Sequence, residues 1–552
     1  MSWATRMFAA HAQAAQRGIP VEELLGARRE RAGARVHDAP TAYTRRGLLL
    51  GGAGALAGAA LAARPARSLA ASTTAAARRG ASAGRRAADS PRIAIVGAGL
   101  AGLRCAHMLW LKAPGAPLAA TVYEANPERA GGRCWTLRDF FDAGLITEHG
   151  GAFINSNQFP IRRLAASLGL ELEVVDGGDL PHGEEAFWID GAHYTEAQAC
   201  ADWASVGFHA FRTAGREMRS PVGQARLDSM SVPEWLDSTE IGSSSRLGRL
   251  LMANTVSENG GSPEEQSALD VIELTVKSPR KPLELLPGDD EKFHIVGGND
   301  QLVSRMIAQL PPETVRHGYQ LVALRENSDL TITLVFATGT ASSEVVADLV
   351  VLALPFSTLR DVDLSQSGFS PIKRTVIDTL GMGSNAKIHL ELQRKTWPAL
   401  GYAGAAYGEW DGFCNAWDDS VAQGPDASPA LLLAFPGGAR GKTGLTGQAH
   451  GIAPQADVDW FLGEIEPVYP GTTAVYTGRA YEDHWALDPW VQGAYSYYRV
   501  GQAASYGELA AATEGRVHFA GEHTAGEQQG FLDGAVATGE RAARQLMHVL
   551  GG

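Results

Sequence analysis

A glycine-rich turn followed by an acidic residue is the part of the sequence whose spacing points most directly to chemistry. Gly97, Gly99 and Gly102 form the pattern G-x-G-x-x-G, and Glu124 lies 22 residues beyond the last of them. Gly97 permits a tight turn, Gly99 lets a pyrophosphate approach the backbone, and Gly102 lets a helix pack closely on a strand. A carboxylate at position 124 can accept hydrogen bonds from ribose hydroxyls. The pattern therefore predicts a dinucleotide-binding site, without distinguishing NAD from FAD.

The elements around this turn must be a strand, a turn and a helix if the site is to work. The apolar run 92–96 predicts a strand, the periodicity of 103–111 predicts an amphipathic helix, and 121–124 predicts a second strand. The helix would begin at the turn, where its free N–H groups and its dipole attract phosphate. The cofactor contacts predicted here are Gly97, Ala98, Gly99, Ala101, Gly102, Glu124 and Ala125.

Four further segments resemble the flavin-containing amine oxidase family, which includes monoamine, polyamine and L-amino acid oxidases. Residues 130–133 (Ala-Gly-Gly-Arg) resemble its second glycine pair, and 148–153 (Glu-His-Gly-Gly-Ala-Phe) resemble the segment beside the flavin ring. Residues 517–524 (Val-His-Phe-Ala-Gly-Glu-His-Thr) and 530–536 (Gly-Phe-Leu-Asp-Gly-Ala-Val) resemble its closing segment. The resemblance covers most of 91–552 and implies that the dinucleotide is FAD.

The resemblance assigns further residues to this cofactor. Arg133 corresponds to an arginine that helps to neutralise the pyrophosphate, and Glu522 to an acid that binds the ribityl chain or phosphate. The helix after Glu522 would direct its N-terminus at the flavin, where its dipole would stabilise negative charge on the reduced ring. Leu321 lies where the family pairs backbone with adenine. The cofactor residues implied in this way are Gly132, Arg133, Gly150, Gly151, Ala152, Leu321, Trp485, Gly521, Glu522 and Leu532.

Three residues are candidates for catalysis. Lys387 lies in the alternating stretch 385–392, which is typical of a strand; spacing alone favours a solvated lysine there. By resemblance it corresponds to the family lysine that holds a water against the flavin N5, where its charge would stabilise negative charge developing on oxygen. Tyr495 and Phe531 correspond to two aromatic residues that face each other across the flavin and would confine the amine nitrogen. Trp490, Tyr497 and Tyr498 are alternative residues for this wall.

Residue 494 decides how the flavin is attached. Some monoamine oxidases bond a cysteine at this position to FAD, but this chain has Ala494, and none of its four cysteines lies in a comparable motif. We therefore expect FAD to be bound without a covalent link. None of the cysteines forms a C-x-x-C pair and no histidine clusters near them, so neither a metal site nor a disulfide framework is expected.

The expected fold class is α/β, in the form of a two-lobed α+β flavoprotein. By resemblance, a Rossmann-like FAD-binding domain is assembled from the discontinuous segments 91–160, 295–360 and 480–552. A substrate-binding domain with mixed sheet and helix then takes 161–294 and 361–479. The stretches 161–290 and 400–480 match the family only loosely, so the residues that select the substrate are the least readable.

The family implies an FAD-dependent oxidase that converts a primary or secondary amine to an imine and reduces O₂ to H₂O₂. The alternative is an L-amino acid oxidase, which needs a cation, usually arginine, to bind the substrate carboxylate. Some relatives place that arginine just after the glycine pair beside the flavin, where this chain has Ala152, Phe153 and Ile154. This favours an amine without a carboxylate, although an arginine from 161–290 could serve.

Two further alternatives lie outside amine oxidation. One is a superfamily member that oxidises carbon–carbon bonds. The sequences around Lys387 and Tyr495 argue against it. The other is a flavin-holding protein without activity, against which the intact motifs at both ends argue. The partners expected are a small amine or amino acid and O₂, and a homodimer is an assembly that the resemblance allows.

Charge is distributed unevenly along the 552 residues. The formal net charge is −13, but residues 1–92 carry a net +10, which leaves −23 on the rest. Such an acidic body repels nucleic-acid phosphates, so a nucleic-acid partner is not expected.

The N-terminal residues resemble a bacterial export signal. Arg45-Arg46 precedes an uncharged stretch that ends at Ala63, and Ser68-Leu69-Ala70 resembles a cleavage site. This order is typical of a twin-arginine export signal within an extension at 1–70, followed by a flexible linker at 71–90. The apolar stretch is too short for a stable membrane span, which needs about 20 residues. We expect export to the periplasm or the exterior.

Overall fold

The computed structural model describes residues 91–551, apart from 114–116, 176–182, 277–281, 287–288 and 421–427. The signal, the cleavage site and the linker all lie outside the described residues, so the export prediction stays a prediction. Among the described helices, none combines the length and the apolar character needed to cross a lipid bilayer.

A five-stranded parallel sheet carries the glycine-rich turn. Its strands, in spatial order, are Val517–Phe519, Leu349–Leu352, Ile93–Val96, Ala120–Tyr123 and Val315–Arg316. The strand at 93–96 is buried along its whole length, as expected for apolar residues in a parallel sheet covered on both faces. The helix Leu100–Lys112 follows it at once, which confirms the predicted strand, turn and helix.

A second large sheet has eight strands and carries Lys387. Its order is His450–Ile452, Tyr476–Asp483, Lys387–Leu392, Ala430–Ala434, Asn415–Asp418, Tyr402–Tyr407, Glu184–Ile189 and Ala192–His193. The predicted strand around Lys387 is confirmed and is buried at every position. A buried strand must satisfy any polar side chain from within the protein, which matters for Lys387 below.

Smaller sheets and helices complete the described chain. A four-stranded sheet contains Ala341–Ala347, Ile332–Thr338, Gln320–Glu326 and Asp363–Gln366. Three pairs join Gly381–Met382 to Ser496–Tyr497, Thr136–Leu137 to Thr147–Glu148, and Leu172–Val174 to Phe293–Ile295. The α-helices after the first are Phe159–Ser167, Glu196–Asp202, Phe208–Glu217, Pro221–Asp228, Val232–Asp237, Arg246–Asn259, Ala268–Val276, Gln301–Ala308, Phe356–Leu359, Pro371–Thr379, Gly438–Thr443, Gln455–Ile465, Thr472–Val475, Tyr506–Ala511 and Leu532–Val549.

The mixed helix-and-sheet architecture confirms the expected fold class. The five strands of the parallel sheet all come from the segments assigned to the FAD-binding domain, and the eight-stranded sheet comes almost wholly from the other segments. The boundary at 480 falls inside the strand Tyr476–Asp483, which pairs with the Lys387 strand as far as Asp483. A boundary that respects the sheet therefore lies after residue 483, and the domain assignment itself stays a prediction.

Candidate active site

One large cavity collects nearly all of the residues singled out in the sequence. Its volume is about 1060 Å³, and residues from the parallel sheet and from the eight-stranded sheet both line it. The predicted residues on its wall are Gly97, Gly99, Ala101, Glu124, Ala125, Gly132, Arg133, Gly150, Gly151, Ala152, Leu321, Lys387, Trp485, Tyr495, Gly521, Glu522, Phe531 and Leu532. Residues that are up to 435 positions apart in sequence (97 and 532) therefore share one site.

Ala98 and Gly102 are the two predicted residues that lie behind this wall. The side chain of Ala98 is fully buried, and its backbone N–H donates to Glu124. A Cβ atom at Gly102 would lie 2.0 Å from the carbonyl oxygen of Gly97, so this glycine serves the packing of helix against turn. Their contribution to the site is to shape the turn.

The glycine-rich turn fits a pyrophosphate. Gly97 has a φ of +101°, and a Cβ there would lie 2.8 Å from the oxygen of Ala353. Gly99 differs, because the nearest atom to its ideal Cβ position, the oxygen of Gly131, is 4.0 Å away. The space beside Gly99 thus opens into the cavity at the start of the helix Leu100–Lys112, which has no side-chain cap on its first N–H groups. An anion at that position would meet unpaired donors and the positive end of the dipole.

Glu124 ties the second strand to this turn. Its Oε2 accepts from the N–H of Ala98 at 2.7 Å and its Oε1 accepts from the N–H of Asn126 at 2.9 Å. Burial raises the pKa of Glu124, and these two backbone hydrogen bonds oppose the rise. The carboxylate lies on the cavity wall, where the sequence predicts a ribose contact.

Glu522 and Arg133 join the closing segment to the second glycine pair. Arg133 Nη1 lies 2.9 Å from Glu522 Oε1 and also donates to the carbonyl of Ala494 at 2.5 Å. The Glu522 carboxylate further accepts from the hydroxyl of Ser496 at 2.8 Å and from the N–H of Gly530 at 2.9 Å. Burial opposes the charge of Glu522, but Arg133 and Ser496 outweigh it and lower its pKa. The acid is therefore held ionised at the cavity wall.

Lys387 is held against the segment that the resemblance places beside the flavin. Its Nζ donates to the carbonyls of Glu148 at 2.8 Å and Gly150 at 2.7 Å, and Trp485 Nε1 donates to the intervening carbonyl of His149 at 2.7 Å. Only 3% of Lys387 is exposed, so the solvated lysine that spacing alone favoured is excluded. Burial lowers the pKa of Lys387, and Asp419, Asp483 and Glu148 oppose this.

Aromatic side chains form the remaining wall. Tyr495 and Phe531 both line the cavity, and the Tyr495 hydroxyl donates to the carbonyl of Ser257. The alternative residues Trp490, Tyr497 and Tyr498 line it as well, so the choice between the two sets stays open. A second aromatic group, Phe153, Trp417 and Phe435, also lies on the wall, with Lys387 Nζ 5.9 Å from the Trp417 ring.

Arg129 is a site residue that sequence reasoning missed. Its guanidinium lies 4.0 Å from the Trp135 ring centre and 6.0 Å from that of Trp485, and it donates to the carbonyl of Gly132 at 2.7 Å. It lines the cavity next to the second glycine pair. The available signal was weak: a second arginine placed four residues before Arg133.

Arg129, Arg133 and Lys387 are the cationic residues on the described part of the wall, and each has its own hydrogen-bond partners. No arginine from 161–290 lines the cavity among the residues that the structure describes. Acidic residues from that stretch do line it, including Glu185, Glu196, Glu258, Asp270, Glu273 and Glu284.

Comparisons with known proteins agree with this arrangement. The family model for flavin containing amine oxidoreductase matches residues 100–547. The chain is 24% identical over 468 residues to a pseudooxynicotine dehydrogenase from Pseudomonas sp., covering 83% of this chain and 86% of that protein. It is also 24% identical over 483 residues to an L-amino acid dehydrogenase from Synechocystis sp., covering 83% and 94%.

A similar fold occurs in the solved structure of a cyclohexylamine oxidase from Brevibacterium oxydans. The TM-score is 0.69 with 22% identity, over 84% of this chain and 100% of that one. The family match extends over most of the chain and contains nearly every residue of the cavity wall discussed above. The chain therefore belongs to the family of flavin-containing amine oxidoreductases, and it is an enzyme of that class.

Proposed function

We propose that this enzyme binds FAD without a covalent bond and oxidises the C–N bond of a primary or secondary amine to an imine. The imine then hydrolyses to an aldehyde and ammonia or an amine, and O₂ is reduced to H₂O₂. The observation that carries the proposal is the buried Lys387, which is fixed on residues 148–150 and lines a cavity that Tyr495 and Phe531 also line. When bound, the flavin supplies the two-electron oxidation and the transfer of those electrons to oxygen.

The residues of the chain supply orientation and electrostatic stabilisation. The rings of Tyr495 and Phe531 confine the amine nitrogen so that its α-carbon is presented in one orientation. Lys387 supplies positive charge at a buried position, where it stabilises negative charge that develops on oxygen. Among the described residues no side chain stands out as a base for the amine proton, so the amine is expected to bind already deprotonated.

The charge of the wall favours an amine over an amino acid. A substrate carboxylate needs a cation to pair with, and Arg129, Arg133 and Lys387 already bind backbone or Glu522. The part of the wall drawn from 161–290 carries several acidic residues and, among the described residues, no lysine or arginine. Such a wall repels a carboxylate and attracts the protonated form of an amine as it approaches, before the amine loses its proton and binds.

The similarity to an L-amino acid dehydrogenase supports the second candidate, oxidation of an L-amino acid to a 2-oxo acid and ammonia. A panel of monoamines, polyamines and L-amino acids tests the two, with H₂O₂ release and oxygen uptake both measured. We expect peroxide with at least one amine. Peroxide with L-amino acids alone would show that the second candidate is correct. Turnover with an artificial dye but without oxygen uptake would show that oxygen is not the acceptor.

FAD should be removable from the protein without breaking a covalent bond. Ala494 replaces the cysteine that some family members bond to the flavin, and its side chain has no atom that can form such a link. Acid precipitation of the purified enzyme should leave all of the yellow colour in the supernatant. Colour that stays in the pellet after washing would contradict the proposal.

We propose that the enzyme is exported by the twin-arginine route, which carries folded and therefore already flavinylated cargo. Replacing both arginines, Arg45→Lys with Arg46→Lys, keeps the charge but removes the pair that the route reads. At least a tenfold loss of exported enzyme is expected, with cytoplasmic enzyme retained; fractionation and immunoblotting measure both. Normal export of the double variant would show that the arginine pair is not part of an export signal.

A further inference from the structure

A chain of alternating aspartates and histidines, three of them buried and two partly buried, lies beside Lys387 without lining the cavity. His389 lies between Asp419 Oδ2 and Asp483 Oδ2, with each ring nitrogen 3.3 Å from one oxygen. His450 lies between Asp483 Oδ1 at 2.7 Å and Asp488 Oδ2 at 3.1 Å. The order is therefore Asp419, His389, Asp483, His450, Asp488.

Sheet register explains why these residues meet. Asp483 is directly opposite Lys387 on one neighbouring strand and His450 on the other. His389 follows Lys387 by two residues, which places both side chains on the same face of the strand. Lys387, Asp483 and His450 thus form a row across three adjacent strands, with His389 on the same face.

The segment beside the cavity is fastened to this same face. Thr147 contacts both Asp419 and His389 Nδ1, the latter at 3.2 Å. His149 Nδ1 lies 2.7 Å from Asp483 Oδ1, the oxygen that His450 also approaches. With the two bonds from Lys387, four successive residues, 147–150, are anchored here. A change at Asp483 would therefore act on Lys387 and on this segment together.

The hydrogen bonds of the Asp–His chain depend on which ring nitrogens of His389 and His450 carry protons. Each ring nitrogen of His389 and of His450 faces a carboxylate oxygen. An imidazole that donates a proton from both nitrogens is a cation, and this is the form that the geometry favours. Burial works against those charges, but the bonds to Asp419, Asp483 and Asp488 outweigh it and raise the pKa values of both histidines. The two imidazolium ions and Lys387 then balance the three aspartates.

Several titratable groups from other elements lie near this row, and the positive charge of Arg129 interacts with Asp488 and Asp483. Burial lowers the pKa values of His149 and His484, which keeps both rings neutral. Glu148 pairs with His294 at 2.9 Å. Arg129 stands over the Trp135 ring, which stacks on His149 with ring centres 3.5 Å apart.

We propose that this Asp–His chain, with Asp483 as its central positioning residue, keeps Lys387 charged and in place by holding two protons on His389 and His450. The inference rests on the role proposed for Lys387. A metal ion is the alternative occupant, because ligand atoms of His149, His450 and Asp483 lie within 4.8 Å of one another. Metal bonds of about 2.0–2.2 Å would, however, hold ligand atoms on the order of 3 Å apart or more. The two distances of 2.7 Å to one oxygen are those of hydrogen bonds.

The proposal predicts a new pH dependence in Asp483→Asn, which keeps the size of the side chain and removes its charge. Without that charge, burial should bring the pKa of Lys387 into the working range. Flavin reoxidation by oxygen in this variant should then fall at least fivefold between about pH 6 and pH 9, whereas the wild-type rate is expected to stay constant over that range. In Asp483→Asn with Lys387→Met the rate should equal that of Lys387→Met at every pH. If the reoxidation rate of Asp483→Asn depends on pH to the same extent whether residue 387 is Lys or Met, the proposal is overturned.

Two measurements need no turnover. The first is thermal unfolding of the FAD-free protein as a function of pH. A histidine whose pKa is raised by folding contributes its full stabilisation below about pH 6.5, the pKa in the unfolded chain. That contribution is lost as the pH rises through the pKa of the histidine in the folded protein. Wild type should lose stability in that window and Asp483→Asn should lose less. An equal dependence of stability on pH in the two proteins would overturn the proposal. The second measurement is metal content, and one bound metal ion per wild-type protein that is absent from Asp483→Asn would also overturn it.

Matched variants separate the effect of the Asp–His chain from a general loss of stability. Asp228→Asn removes another buried, hydrogen-bonded aspartate and should leave the pH profile flat. His450→Gln, a milder change, should reproduce part of the pH dependence if Asp483→Asn folds poorly, and a flat His450→Gln profile would count against the proposal. If Lys387→Met itself reoxidises normally, the proposed function of Lys387 fails, whereas the dependence of stability on pH still decides whether the chain stores protons.

Discussion

Gly99→Ala is expected to fold as well as the wild type and to lose its FAD. Gly99 has φ −71° and ψ 178°, a conformation open to any residue, and no atom lies closer than 4.0 Å to the added Cβ. The methyl group would instead occupy the space through which a pyrophosphate approaches the backbone. We expect FAD affinity to fall at least about 100-fold, which corresponds to about 2.8 kcal/mol. Titration of FAD-free protein with FAD, followed by flavin fluorescence, measures this.

Gly102→Ala is the matched control, because its Cβ would lie 2.0 Å from the Gly97 oxygen and 3.2 Å from Ile95 Cγ2. This variant should lose thermal stability even without FAD, whereas FAD-free Gly99→Ala should melt with the FAD-free wild type. Normal FAD affinity in Gly99→Ala would show that the pyrophosphate does not pass beside this residue.

Lys387→Met is expected to slow flavin reoxidation by oxygen at least about tenfold, a barrier increase of about 1.4 kcal/mol. The substitution keeps the length of the side chain and removes a charge that acts mainly when oxygen accepts electrons. Reduction by substrate without oxygen should change much less. Stopped-flow absorbance separates the two half-reactions, each normalised to bound FAD.

Lys373→Met supplies the control for removing a buried lysine. Lys373 is 1% exposed, does not line the cavity, and donates to the carbonyls of Leu509, Ala510 and Ala512. Its loss should lower the free energy of unfolding while leaving both rates per flavin unchanged. If Lys387→Met is stable and fully flavinylated yet reoxidises normally, the role assigned to Lys387 is wrong.

The parts of the site that could be predicted are those whose residue types are dictated by local geometry. A turn that must admit a phosphate needs glycine at Gly97 and Gly99, and a strand before it and a helix after it follow from apolar periodicity. Lys387 shows the limit of this reasoning, because alternation predicted its strand correctly but favoured a solvated side chain. Its burial follows from strands on both sides and from Glu148 and Gly150, whose carbonyls it contacts, and none of these is local in sequence.

The Asp–His chain could not be predicted, because its five members come from four separate segments of the sequence. Asp483 meets His389 and His450 through strand register, and meets His149 through a segment that crosses the sheet. Register is set by side-chain packing over the whole sheet rather than by any short pattern. Arg129 was missed for a similar reason, since its position over Trp135 and Trp485 depends on the folded chain.

The central claim, oxidation of an amine by a reusable flavin, is tested most directly by following flavin absorbance in a sealed cell. Each amine and L-amino acid of the panel is added in turn without oxygen, and air is then admitted. The account predicts that the yellow colour disappears on adding at least one amine, returns with oxygen, and yields one H₂O₂ per flavin. Colour that persists with every amine but disappears with L-amino acids, or that does not return with oxygen, would contradict it.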